Sequence, residues 1–158
     1  PPSANRSVLS RKSATPAAIS AAAVTLHRLT ADRGYVDAAQ ATVDRVSAVA
    51  EHQPIAYGAA LSVLSSLAEP VRQLVVVGED GADAAAVALA RRWRGGLAAV
   101  VTAEQARQWS AAGFELFEGR ATSPASATAY LCEDFVCRLP ITSAVELAEA
   151  LESSAPSG

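Results

Sequence analysis

The residues of this chain best suited to chemistry are two cysteines in Thr128-Ala-Tyr-Leu-Cys-Glu-Asp-Phe-Val-Cys-Arg-Leu-Pro-Ile-Thr142. Cys132 and Cys137 lie five positions apart, which is not the C-x-x-C spacing of thioredoxin-type redox sites. If Glu133–Val136 links two paired strands, the cysteines sit directly opposite each other. Their Cβ atoms would then be about 4.5–5.5 Å apart, near disulfide geometry but outside it. A reactive thiol needs surroundings that favour the thiolate, and Glu133 and Asp134 act the other way by raising the thiol pKa. Two reduced, buried thiols that serve as small core side chains are therefore expected. Thiol–disulfide exchange is the competing reading.

Other candidates have structural explanations. Val77-Gly78-Glu79-Asp80-Gly81-Ala82-Asp83 reads as a strand, a turn and a helix start, where free backbone N–H groups suit phosphate. The G-x-G-x-x-G spacing and the P-loop Lys are both missing, and Glu79, Asp80 and Asp83 would repel an anion. Those carboxylates are better read as stabilising their own helix. Arg91-Arg92-Trp93-Arg94 puts Trp93 on a buried stripe and its arginines at a helix C-terminus, where cations are favoured. His27 and His52 have no metal-ligand spacing and read as capping or surface histidines. Glu115, Glu118, Glu133 and Asp134 could supply an acid or base, but their spacing selects none of them. No catalytic, cofactor-binding or metal-ligating residue is assigned, and no cofactor is expected. Cys132 and Cys137 remain as thiol candidates.

Composition narrows the partners. Of 158 residues, 51% are apolar and 18% charged, enough for a core in one domain or two small subdomains. Aromatics are 5% and Met is absent, so that core must be built from Ala, Val and Leu. The net charge of -3 comes with no dense basic run, which disfavours nucleic acid. No stretch has the length of a membrane span: Ala14–Ala23 is mostly Ala and soon meets His27, Arg28 and Asp32. No secretory cleavage pattern follows it, and a cytoplasmic location is expected. A chain opening at Pro1 reads as a fragment of a longer protein.

The elements that must hold these residues fall into two halves. Residues 1–14 are polar and aperiodic, and read as a tail or linker. Thr15-Pro16 then gives an N-cap and first helical position, followed by Ile19, Ala22, Ala23, Leu26 and Leu29 at helical spacing. Asp32-Arg33-Gly34 forms a break. Val36, Ala39, Val43, Val46 and Ala50 mark a second helix, and Ala56, Ala60, Val63, Leu64 and Leu67 a third. Residues 15–69 thus read as antiparallel helical hairpins.

After Pro70 the pattern changes. Leu74–Val77 and Ala98–Val101 read as buried strands, with Ala86, Leu89, Ala90 and Trp93 as the stripe of a helix between them. Thr102 and Ser143 each open a capping box, the first with Ala106 and Trp109 facing inward. Thr128–Cys132 and Phe135–Leu139 read as further strands. Residues 70–153 are expected to form a small, mostly parallel α/β layer, with 154–158 frayed. The fold class is α + α/β.

At this point the residues resemble a known family. Ala127–Thr142 resembles the C-terminal signature of thioredoxin-domain-containing proteins that include spermatogenesis-associated protein 20 and its bacterial relatives. Arg72-Gln-Leu-Val-Val-Val-Gly78 and Leu26-His-Arg-Leu-Thr-Ala-Asp-Arg-Gly-Tyr35 are similar to further family segments in the same order. The resemblance implies a parent with an N-terminal thioredoxin-like domain, then an (α/α)6 toroid similar to N-acylglucosamine 2-epimerases and six-hairpin glycosidases, then a small α/β segment. This chain would supply the last toroid helices and that segment. The family's Pro-Ser-Gly-Asn at the helix start reads Pro16-Ala17-Ala18-Ile19 here, so its polar residues are lost.

The resemblance implies a non-catalytic C-terminal module whose partner is the rest of the parent polypeptide, toroid and thioredoxin-like domain, or a second copy through an exposed helical face. One alternative is part of a carbohydrate-active site completed by residues elsewhere. The other is a thiol relay through Cys132 and Cys137. With no complete catalytic set visible, the chain alone is expected not to turn over sugars or reduce disulfides above background.

Overall fold

A computed structural model describes residues 4–50, 52, 55, 57–79, 84–120 and 126–154. The chain divides into two compact units, one of Pro1–His27 and Ala31–Glu69, the other of Arg28–Thr30 and Pro70–Gly158. Helices followed by a small sheet layer give the α + α/β class predicted from the sequence. Among the described residues, no helix is long and apolar enough to cross a membrane.

The first unit is helical. Helix α1 (Ala4–Thr30) contains Pro16, so residues 4–14 are helix and not the expected tail. Its buried stripe is Ala17, Ser20, Val24 and His27, rotated from the predicted one, and Ile19 is 60% exposed. An Ala-rich helix offers several faces of similar apolarity, so periodicity alone sets its phase poorly. The polar members of the stripe are satisfied locally. Ser20 Oγ donates to Pro16 O at 3.0 Å, and His27 Nδ1 lies 3.0 Å from Asp32 O. Helix α2 (Arg33–Ala50) follows a break in which Ala31 takes φ 58° and Asp32 Oδ1 accepts from Gly34 N at 2.8 Å. Helix α3 (Gly58–Ala68) completes the unit. Val24, Ala39, Val43 and Val63 are its buried cluster, backed by Ala23, Leu64 and Leu67.

The second unit is a four-stranded sheet in the order β2-β1-β3-β4, with strands β1 (Arg72–Val77), β2 (Leu97–Val101), β3 (Thr128–Glu133) and β4 (Val136–Cys137). Pairing is parallel only between β1 and β2; β1/β3 and β3/β4 are antiparallel. The sheet is therefore mixed, where a mostly parallel layer was predicted. The local runs are right; what differs is the direction of β3, which reaches β1 only after α4, β2 and α5 and pairs with it antiparallel, with β4 returning beside it as a hairpin.

Both faces of the sheet are covered, so β1 reads as an unbroken buried run. Leu74, Val76, Ala129 and Leu131 pack with Leu147 of α6 (Ala144–Ser153) and with Ala86 and Ala90 of α4 (Ala84–Arg92). Val75, Val77, Val101 and Tyr130 pack with Ala106 of α5 (Ala103–Ala111) and with Leu116 and Phe117, which sit on a 3-10 turn, Glu115–Phe117. Thr102 completes its capping box with Gln105, and Ser143 Oγ accepts from Glu146 N at 3.5 Å. Trp109, predicted to face inward, is 41% exposed and stands edge-on to Phe117 at 4.8 Å between centroids. The bound between α4 and β2 is set by Gly96. A Cβ there would lie 2.2 Å from Arg72 O, so no other residue fits without moving backbone.

Candidate functional site

The cysteines stand on one row of the sheet. Gln73 of β1 pairs with Cys132 of β3, which pairs with Cys137 of β4. The connection between β3 and β4 is a two-residue turn, with Asp134 at φ 48° and Phe135 at φ 67°. Two successive positive φ values are the mark of a type I′ turn, the twist that suits a tight hairpin. Neither residue is glycine, so the left-handed backbone is costly here, more so for Phe135. Asp134 anchors it: its N–H donates to Val71 O at 2.7 Å, and its Oδ1 accepts from Val71 N at 2.9 Å.

The expectation of two reduced thiols is corrected. Cys132 and Cys137 are joined in a disulfide, with their Cα atoms 3.9 Å apart. Arg138 N donates to Leu131 O at 2.9 Å, which makes the adjacent cysteines a non-hydrogen-bonded pair. That class brings side chains closer than the bonded class, and the average cross-strand spacing used for the prediction does not separate the two. The opposition of the pair was legible; the bond was not. Cys132 is 1% exposed, as predicted for a core residue, whereas Cys137 is half-buried.

Arg120 was missed. Its Nη2 lies 3.0 Å from Cys137 Sγ and 3.6 Å from Cys132 Sγ, and its Nε donates to Leu116 O at 2.9 Å. The guanidinium stacks over the Tyr130 ring, 4.8 Å from the centroid. Burial holds its pKa below the ordinary arginine value, while Tyr130 acts in the opposite sense. Among the described residues, no carboxylate lies within ion-pair distance of it. Gly119, at φ 66°, turns the chain into this position. A lone Arg in an irregular stretch carries no local signal, because its role depends on a contact 17 residues away.

Beside the disulfide is a cleft of about 200 Å³ lined by Gln73, Glu115, Leu116, Glu118, Arg120 and Phe135. Glu115 and Glu118, two of the four carboxylates that spacing could not rank, come together on this rim, and both are exposed. Glu133 is exposed beyond the row, and Asp134 is committed to Val71. The buried Gln73 side chain donates to Arg28 O, which fixes one wall.

The remaining sequence candidates lie elsewhere. A larger groove of about 650 Å³ runs along α4 and β2 past Gly78, Glu79 and Thr102, whose hydroxyl accepts from Gln105 N in the capping box. Asp80–Asp83, on which the phosphate reading turned, lie outside the described residues. Arg94 Nη1 donates to Arg91 O and Trp93 O, at 2.8 and 3.0 Å, so this arginine caps the end of α4. His27 belongs to the helical unit and His52 is exposed. In comparison with known proteins, no family model, no curated protein and no solved structure matches this chain.

Proposed function

We propose that this chain is the C-terminal module of a thioredoxin-domain, epimerase-like toroid protein, and that its own chemistry is two-electron thiol–disulfide exchange at Cys132–Cys137. One observation carries the exchange reading: directly opposed cysteines are bonded, with a guanidinium nitrogen on their sulfurs. The loop they close is short, so the bond removes little entropy from the unfolded chain, on the order of 2 kcal/mol in the loop-closure picture. The sheet around it is already held by two apolar clusters, so fold maintenance is a weak explanation for the bond. We place the protein in the cytoplasm, where a disulfide is ordinarily transient and redox-active. The family resemblance supplies the partner: the thioredoxin-like domain and toroid of the parent. Exposed Ile19 and Leu61 on the helical unit support a covering neighbour, either that toroid or a second copy.

The carboxylates and Phe135 at the cleft favour, as a second reading, a share in a carbohydrate site completed by residues elsewhere. The cleft is smaller than the roughly 300 Å³ at which small-molecule sites begin, so the exchange reading stands first. It is tested by equilibrating the purified chain in dithiothreitol buffers of graded poise and counting thiols by alkylation and mass. The pair is expected to pass between bonded and dithiol forms while the far-UV circular dichroism stays constant. A bond that stays closed down to about −300 mV, the range of structural disulfides, would overturn the reading.

A further inference from the structure

Resting on that exchange reading, we infer that Arg120 sets the direction of electron flow: it stabilises the reduced hairpin and makes Cys132–Cys137 an acceptor of electrons from a protein dithiol. In the bonded state the guanidinium faces two neutral sulfurs, which are weak acceptors. A charge withdrawn from water without an anion beside it is poorly matched. Reduction creates the missing anion at the right place. A thiolate on Cys137 would sit against Nη2, 3.0 Å away in the bonded structure, in a charge-assisted contact that the disulfide cannot make. Selective stabilisation of the reduced form is what turns a disulfide into an oxidant.

Exposure sets the order of steps. Cys132 Sγ is buried and Cys137 is the accessible partner, so the donor thiolate attacks Cys137 Sγ. The donor sulfur–Cys137 bond forms, the Cys132–Cys137 bond breaks, and the electron pair leaves on Cys132 Sγ, which lies 3.6 Å from Arg120 Nη2. The donor's second thiolate then attacks its own first sulfur. That closes the donor disulfide and releases Cys137 as a thiolate beside Arg120. The donor's two thiol protons pass to solvent, and Cys132 takes one back. Two electrons move from the dithiol to the hairpin. Tyr130 of β3 faces the guanidinium from below, and Glu115 and Glu118 line the same cleft. These two carboxylates, with Glu133 and Asp134 of the hairpin, oppose the thiolate, and Arg138 next to Cys137 favours it, so the effect assigned to Arg120 is net of all of them.

The test compares the full chain with Arg120→Gln and Arg120→Lys in dithiothreitol buffers, approached from both the oxidised and the reduced side. Arg120→Gln is expected to lower the equilibrium constant for reduction at least tenfold, or about 30 mV. It should also raise the thiolate titration, followed at 240 nm on chemically reduced protein, by about one unit. Arg120→Lys should restore most of both. Exchange that proceeds in all three proteins with one constant and one titration curve overturns the role of Arg120 and leaves the exchange reading intact. A wild-type bond that does not exchange at all removes the exchange reading instead. The titration of the reduced wild-type chain needs neither variant to fold. At least one thiol must ionise below the ordinary cysteine value of about 8.5, and two thiols at or above it overturn the inference.

Discussion

Among the described residues of the helical unit, Val24, Ala39, Val43 and Val63 form one small buried cluster. In the sheet unit every residue from Gln73 to Val77 is buried, and alternate side chains feed two clusters on opposite faces. The difference is one of constraint. A side chain on α1 could turn toward any of several Ala-rich faces with little loss, and the observed stripe is rotated from the one periodicity suggested. A residue on β1 has no such freedom, because a one-residue slip would exchange the two cores. The bonded cysteines and the Arg120 guanidinium, 3.0 and 3.6 Å from their sulfurs, sit in the constrained unit.

That comparison breaks most easily at Gly96. A β-carbon there would overlap Arg72 O at 2.2 Å, and backbone cannot rotate away as a side chain can. Gly96→Ala is expected to cost about 3 kcal/mol, at the upper end of overpacking. Chemical denaturation would measure it. A loss under about 0.5 kcal/mol, the size of a neutral surface change, would show that the β1–β2 register is looser than argued.

The next effect compares two buried valines directly. Among the described residues, Val76 is 0% exposed in the larger cluster of buried side chains, with Leu147 of α6 and Ala86 of α4, and Val43 is 1% exposed in the smaller helical cluster. Val76→Ala should cost about 2 kcal/mol and Val43→Ala about 1, because a small cluster collapses more readily around the lost methyls. Equal losses, or the reverse order, would remove the contrast between the units.

How much was legible follows the same division. The strand runs Leu74–Val77 and Ala98–Val101, the Thr102 capping box and the opposition of Cys132 to Cys137 were all readable, because each rests on contacts local in sequence or on strict alternation. The start of α1 was not, since a polar, aperiodic stretch carries no face to count. Trp109 was misplaced because helical spacing gives a phase but not the depth of cover. The sheet's mixed pairing and the place of Arg120 were unreadable for one shared reason. Both depend on which distant segments meet, and periodicity does not encode that.

The smallest effect concerns a device that belongs to a single helix and owes nothing to either core. Glu104, in the first turn of α5, is held below its ordinary pKa of 4.5 first by the side-chain hydrogen bond from Arg107, then by Gln108 and the Arg107 charge. A depressed carboxylate contributes stability that is present above its unfolded pKa and lost as pH falls through its folded one. The group is fully exposed, so solvent and salt screen the pair, and exposed pairs contribute little. Glu104→Gln should therefore lower the thermal midpoint at neutral pH by less than Val43→Ala does. The gap between wild type and variant should close below Glu104's own pKa, where the wild-type carboxyl is protonated. It should also shrink in about 1 M salt, where the Debye length falls to roughly 3 Å. A gap that persists in acid and in salt would mean that Glu104 acts on α5 through packing rather than charge.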